Sequence, residues 1–428
     1  MIFIEMLLIL TTFFPLYHLL TALKKDHKTT MQSHKNHSFS ILVPCYNESI
    51  CIGKTIEALK KLEYCDFEVI FINDGSEDDT LSVLNDKLTL IPIKANSPFN
   101  CFRSDIYGNF YCIHKPNTGK ALSLNEGIKL SKNDIVITLD ADSLLMPDCL
   151  TSLNNAFCDE NVVAAGGAIH IVQAKEADYL KKLSLGKRIL IKMQSLDYLK
   201  GFFIYKLSLA RQNSLAIISG AFGAFRKSVL VEVGGFRKSL GEDIDITIKI
   251  QQYIHKTKKR IAYLPNVSCY TECPETMKDL YRQRIRWQKG FIDCIIYHSK
   301  FLLSTCLTKP ISFYLVFEAI CIGVFSCMLP WMLTIYIAAS LEIKFAFTIV
   351  IFCTIINIFY STCAYVISTR YIYPYKKKFI ISVILDIFFL KPFLSFVYLS
   401  GTIKYLTNKT EWKKVERSVM LAETKGAL

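Results

Sequence analysis

Neither a CxxC motif nor a second cysteine pair able to complete a zinc site occurs in the sequence, although it holds 15 cysteines. Cys269 and Cys273 come nearest to a metal-binding spacing, and nothing beside them finishes a tetrahedral set. An odd number of scattered cysteines reads as reduced thiols in a cytosolic body, not as a disulfide framework. The eight histidines show no ligand spacing, and serine elbow, His-based triad and P-loop are all missing. No helix-turn-helix, zinc-finger or RNP-like pattern is present, so nucleic acid is not an expected partner. Internal repeats and low-complexity tracts are lacking too. Acidic excess is also absent: 51 Lys and Arg against 37 Asp and Glu leave a net charge of +14. Such a balance suits anionic lipid or an anionic substrate.

What is present is apolar. Hydrophobic residues make up 51% and aromatics 13% of 428 residues, rich for a soluble enzyme and too polar for membrane spans alone. That length allows two or three domains. Residues 2–23, "IFIEMLLILTTFFPLYHLLTAL", are long enough to span a bilayer. No cationic region precedes them, and "KKDHK" follows at 24–28. An uncleaved anchor over 1–23 is expected, with its C-terminal end in the cytosol. Residues 29–37 read as a polar linker. From about 38 to 300 the pattern is soluble, and 301–405 reads as a membrane region. It holds three apolar blocks, near 311–340, 344–368 and 378–401, before a basic tail over 406–428. "YIYPYKKK" (371–378) reads as a cytosolic loop between spans. The third block carries Asp386, Lys391 and Pro392 and reads as a simple span, a re-entrant segment or a broken helix. Residues 174–211, lysine-rich with interleaved apolar side chains, suit either an amphipathic pair on the membrane surface or an ordinary helix over the core.

Within 38–300, short apolar runs end in polar or acidic turns: "FSILVPCYNES" (39–49), "FEVIFINDGSEDD" (67–79) and "DIVITLDADS" (134–143). Helix-like stretches such as "GKTIEALKKL" and "GKALSLNEGIKL" lie between them. Strand alternating with helix predicts a largely parallel sheet covered on both faces. Ligands on such sheets bind beyond the carboxyl ends of the strands, where Asn47, Asp74, Asp140 and Asp142 fall. Asp140 and Asp142 stand two apart, so on an extended chain their carboxylates point the same way. Two such groups can hold a hard divalent cation whose shell is completed by water and substrate phosphates. A third acidic motif, "GEDID" (241–245), offers a carboxylate able to take a proton from an acceptor hydroxyl. Each motif alone suits a solvated turn or a helix start. Together they suit a nucleotide diphosphate-sugar, which brings phosphates and explains the nearby cations.

"YRQRIRWQKG" (281–290) packs Arg282, Arg284, Arg286, Lys289 and Trp287 into ten residues. If 277–292 is helical, Gln283, Arg284 and Trp287 share a face suited to stacking on a sugar and meeting phosphate oxygens. Arg282, Arg286 and Lys289 share another, suited to anionic lipid.

These motifs, in this order, resemble those of membrane-bound family 2 glycosyltransferases of the processive type. The segments concerned are "VPCYNE" (43–48), "NDGS" (73–76), "NTGKALSLNEGI" (117–128), "DADS" (140–143), "SGAFGAFRKSVLVEVGGF" (219–236), "GEDID" (241–245) and "QRIRW" (283–287). Among relatives the chain looks most like bacterial poly-β-1,6-N-acetylglucosamine synthases. Hyaluronan, chitin and cellulose synthases share the same core. The resemblance implies an α/β, Rossmann-like nucleotide-sugar domain of GT-A type with a mixed sheet, flanked by transmembrane helices. It implies inverting transfer from a UDP-sugar, UDP-N-acetylglucosamine above all, with Mg2+ or Mn2+. The acceptor would be a growing β-linked glycan or, alternatively, a lipid or lipid-linked acceptor taking a single sugar.

By position, the resemblance places Asp243 as the base with Glu242 beside it. Asp140 and Asp142 would bind metal, and Asp140 the nucleotide as well. Pro44, Tyr46, Glu48, Asp74 and Lys120 would serve the donor, together with Gln283, Arg284 and Arg286. Gly220, Ala221, Phe222 and Trp287 would serve the acceptor. A multi-pass protein of the inner cell membrane with a cytosolic catalytic domain is expected, and a small membrane accessory subunit is a further expected partner. "GED" stands where cellulose synthases have a threonine-containing tripeptide, and the acidic pair is kept.

Overall fold

The computed structural model describes residues 2–24, 36–323, 343–371 and 380–407. Most of the linker, the inter-span basic loop and the basic tail lie outside the described residues, as does the latter half of the first C-terminal apolar block. The chain forms two compact units. Among the described residues, a sheet unit comprises 36–173 and 217–272; a helical unit comprises 2–24, 174–216, 273–323, 343–371 and 380–407.

The sheet unit is built on ten strands: β1 Phe39–Cys45, β2 Phe67–Asp74, β3 Leu90–Ile93, β4 Asn100–Ser104, β5 Phe110–Lys115, β6 Ile135–Leu139, β7 Leu144–Leu145, β8 Val162–Ile171, β9 Phe222–Arg226 and β10 Arg260–Thr271. Their spatial order is β3-β4-β5-β2-β1-β6-β9-β8-β10-β7. β5, β2, β1 and β6 run parallel, whereas β9 is antiparallel to both β6 and β8, so the sheet is mixed as expected. The strands β1, β2 and β6 are apolar runs buried along almost their whole length, the pattern of strands covered on both faces. The helix Lys120–Leu130 turns Ala121, Leu124 and Ile128 inward at three- and four-residue spacing.

Topology locates the site. From β1 the chain moves to β2 and β5 on one side, then crosses to β6 on the other side of β1. The strand order therefore reverses between β1 and β6. A crevice opens beyond the carboxyl ends at such a switch point. The loops after β1, β2, β5 and β6 all end there.

The helical unit contains Ile2–Leu23, a 22-residue helix that includes Pro15. Phe347–Ser368 and Ser382–Leu406 are each long and apolar enough to cross a membrane, and Thr12–Leu23 and Pro310–Ile320 are shorter apolar helices. Residues 185–211 are helical throughout, with a π-helical segment over Gly201–Lys206. Ile191, Leu196, Leu199, Phe203 and Leu207 along this stretch are buried, so it is an inner element of the unit and not a helix lying only on a surface.

The third apolar block stays helical through its charged residues, with a π-helical segment at Asp386–Leu390 and Pro392 near the start of the following helix. The cost of placing Asp386 there is met by pairing: its carboxylate lies 2.6 Å from the Lys200 ammonium and accepts from Asn357 Nδ2 at 3.3 Å. Similarly, buried His18 of the first helix contacts Ser208 Oγ at 2.8 Å and Glu318 Oε1 at 2.9 Å.

Candidate active site

The loop after β1 and the turn after β2 are stitched together. The Asn47 N–H donates to Ser76 Oγ at 3.0 Å, the Glu77 N–H to Asn47 Oδ1 at 2.8 Å and the Glu48 N–H to Thr80 Oγ1 at 2.7 Å. Glu48 is buried, and its carboxylate takes the Cys51 thiol at 3.1 Å. Pro44 and Tyr46 are half-buried at the same strand end. Gly75 has φ +68°, and a Cβ there would lie 2.7 Å from the Asn117 backbone nitrogen. Only glycine permits both that conformation and that approach.

Asp74 is 3% exposed and its carboxylate is already engaged. It pairs with Lys115 and accepts the N–H groups of Thr118 at 2.9 Å and Gly119 at 2.8 Å. It thus secures the two residues that lead into the helix beginning at Lys120. Gly119, at φ +93°, makes the turn into that helix. Lys115 also donates to Thr118 Oγ1 at 2.6 Å and Ser123 Oγ at 3.2 Å. Sequence reasoning missed Lys115. A lysine closing a buried apolar strand, just before Pro116, was the available signal.

Lys120 stands at the centre. Its Nζ lies 2.7 Å from Asp140 Oδ1 and 2.9 Å from Glu242 Oε1, and donates to the Gly220 carbonyl at 3.2 Å. The Gly220 N–H in turn donates to Asp243 Oδ2 at 3.0 Å, and the Ile244 N–H to Asp243 Oδ1 at 2.9 Å. Asp243 sits in the first turn of the helix Glu242–Thr257, where the dipole favours a carboxylate. Lys120, Thr138, Ser219, Gly220, Glu242 and Asp243 are among the residues that line one cleft. Burial pushes the Asp140 carboxyl up to about 6; Lys120 opposes the shift, and the charges of Asp142 and Glu242 add to it.

Two expectations about these residues are corrected. β6 ends at Leu139, so Asp140 and Asp142 lie in a turn and the two-residue strand period does not align them. Asp140 is a third exposed, whereas Asp142 is buried and meets Thr271 Oγ1 at 3.4 Å. Phe222, expected at the acceptor, is wholly buried as the first residue of β9, its ring against Gly167, where a Cβ would lie 2.8 Å away. Its neighbour Ala221 is half-buried, and its carbonyl accepts the Asp140 N–H at 3.3 Å.

Among the described residues no group of three or more His, Cys, Asp or Glu could hold a metal ion. A divalent cation here would rest on Asp140 and Asp142 and on ligands brought by substrate, the usual Mg2+ pattern. The residues fit that role. The two carboxylates feel one another's charge, and an ammonium already stands against Asp140. The described cysteines are thiols and not disulfides.

In the helical unit, "QRIRW" lies on the helix Met277–Tyr297, capped by the Thr276 side chain, which accepts the Asp279 N–H. The expected shared face is present: the Arg284 guanidinium lies 4.2 Å from the Trp287 ring centroid. Arg284 is buried and donates to Asp197 at 3.2 Å, while Trp287 is 38% exposed. Gln283 Oε1 and Arg284 Nε are buried without a hydrogen-bond partner, which a polar ligand could supply. Arg286 is half-buried. Lys289, expected on a lipid-side face, is buried instead. The helix Lys391–Leu406 packs on this one, with Tyr281 OH 2.7 Å from Ser400 Oγ and Gly401 against Gln288.

The sequence profile of Glycosyl transferase family 2 matches residues 40–234. A poly-β-1,6-N-acetyl-D-glucosamine synthase of Staphylococcus epidermidis is 29% identical over 379 residues, covering 86% of this chain and 81% of that protein. A second from that species is 30% identical over 356 residues, covering 81% and 77%. One from Staphylococcus aureus (strain COL) is 30% identical over 283 residues, covering 66% and 60%. Among solved structures, a mannosyltransferase from Pyrobaculum calidifontis in complex with GDP-Man and Mn2+ superposes with a TM-score of 0.60 at 17% identity, covering 95% of this chain and 99% of that one. The motifs, the fold and the extent of the match agree: the chain belongs to glycosyltransferase family 2 and is a glycosyltransferase.

Proposed function

We propose that this glycosyltransferase moves N-acetylglucosamine from UDP-N-acetylglucosamine onto a growing β-linked polysaccharide at the inner face of a cell membrane. The reaction inverts the anomeric centre by a single displacement. The observation that carries the reading is the convergence of Lys120, Asp140, Glu242 and Asp243 at the switch point of the sheet. The synthases named above support the sugar and the polymer. Two candidate spans support a membrane-embedded, multi-pass arrangement.

Asp243 is the base. Two backbone N–H groups hold its oxygens in place, leaving lone pairs for an acceptor hydroxyl proton. Glu242 and Lys120 balance charge beside it. Asp140 and Asp142 would hold Mg2+ or Mn2+, which when bound supplies positive charge against the departing diphosphate. Asp74, through Thr118 and Gly119, keeps the donor loop and Lys120 in place. Gln283, Arg286 and Trp287 are assigned to diphosphate and acceptor on their motif, with Arg284 bracing the indole. Membrane lipid and a small membrane subunit remain the expected further partners.

Purified protein given labelled UDP-sugars and Mg2+ or Mn2+ should release UDP, with UDP-N-acetylglucosamine preferred. The product should be long and cut by hydrolases specific for its linkage. No turnover across the panel overturns the proposal. A single sugar on an extractable lipid replaces the polymer with the single-transfer reading. Trp287→Ala should weaken acceptor use by about tenfold, the upper range for one aromatic contact, with Mn2+ affinity unchanged. Equal losses in both would remove the stacking role.

A further inference from the structure

We infer that Lys120 is a built-in placeholder cation, holding Asp140 and Glu242 before donor and metal arrive and leaving Asp140 when they bind. The inference rests on the reading of Asp140 and Asp142 as the metal carboxylates.

Three oxygens from three different segments surround this one ammonium. They are Asp140 Oδ1 at 2.7 Å, after β6; Glu242 Oε1 at 2.9 Å, at a helix start; and the Gly220 carbonyl at 3.2 Å, in the loop before β9. An ammonium has three donors, and these contacts use all of them. A divalent cation at about 2.0–2.2 Å from the same Asp140 carboxylate would stand within a few ångströms of the ammonium on Oδ1, and the like charges weaken both contacts. The ammonium is the one able to yield.

Lysine is suited to moving. Its charge rides on a flexible four-carbon stem, whereas its backbone here opens the helix Lys120–Leu130 and is secured through Asp74. A nucleoside diphosphate brings the replacement partner: its oxygens can take the ammonium as they also fill the metal's shell. Metal and nucleotide should therefore bind cooperatively, because each removes an obstacle to the other. Without the nucleotide, Lys120 keeps the carboxylates together and competes with free metal.

The test uses the full chain in detergent micelles, with free Mn2+ followed by electron paramagnetic resonance and unfolding followed by thermal shift. Wild type should bind Mn2+ weakly alone and much more tightly with UDP. Lys120→Met should bind Mn2+ alone about tenfold more tightly, as expected on removing an adjacent like charge, and lose most of the gain from UDP. It should also melt lower than wild type without metal and be rescued by Mn2+. Lys120→Arg, which keeps the charge, should stay near wild type in Mn2+ affinity. If Lys120→Met binds Mn2+ no more tightly while Asp142→Asn abolishes binding, the placeholder is overturned and the metal reading stands. Mn2+ binding that survives Asp142→Asn overturns the metal reading, and the placeholder with it.

Discussion

Asp243→Asn is expected to lower kcat by about 10²–10⁴-fold, the range for loss of a general base. Asparagine matches aspartate in shape and cannot accept the proton. The geometry adds a constraint. Both oxygens of Asp243 accept backbone N–H groups, from Gly220 and Ile244. The amide can satisfy one of them and must point its own NH2 at the other, or turn away. That mismatch costs about 1–3 kcal/mol. Some loss of melting temperature should therefore accompany the loss of rate. Donor affinity, measured as UDP binding by calorimetry, should fall far less than kcat. Unchanged turnover would remove Asp243 as the base. UDP affinity falling in step with kcat would make it a structural bracket for the Gly220 loop.

The second large effect concerns stability. Asp74→Asn leaves the Lys115 ammonium buried without its counter-charge and should cost about 3–5 kcal/mol, read as a fall in melting temperature. Activity should fall as well, because residues 118 and 119 lose their anchor ahead of Lys120. Pairing the change with Lys115→Met removes the stranded charge. If Asp74 acts by holding the loop, the double variant regains much of the stability and part of the activity. If it touches the donor directly, stability returns and the KM for the UDP-sugar stays high.

These two cases mark how far the sequence could be read. The parallel strands β1, β2 and β6 were legible as apolar runs ending in acidic turns, because strands buried on both faces carry a plain signal. β8 was not: its "VVAAGGAIHI" mixes in alanine and glycine, since Phe222 and the backbone at Val267 crowd Gly167. The acidic motifs at the strand ends were legible by type and order. Their company was not. That Asp74 is spent on Lys115, that Phe222 points into the core and that Lys289 is buried all depend on elements distant in the chain. The helix carrying "QRIRW" was expected over 277–292 and spans Met277–Tyr297, and its three-residue spacing does bring Arg284 to Trp287. Local periodicity carries such neighbours; long-range packing does not show in it.

The pairing of Lys200 with Asp386 has a bearing on biosynthesis. Lys200 leaves the ribosome 186 residues ahead of its partner. His18 likewise precedes Glu318 by 300 residues. Until Asp386 is made, Lys200 must stay hydrated or borrow another companion, since an unmatched ammonium in an apolar interior is costly, and His18 waits likewise for its hydrogen-bond partner. The helical unit is thus completed late, by segments that close it from the C-terminal side. A nascent chain stalled before residue 386 should remain open to proteases at 185–211, while one that has passed it becomes resistant.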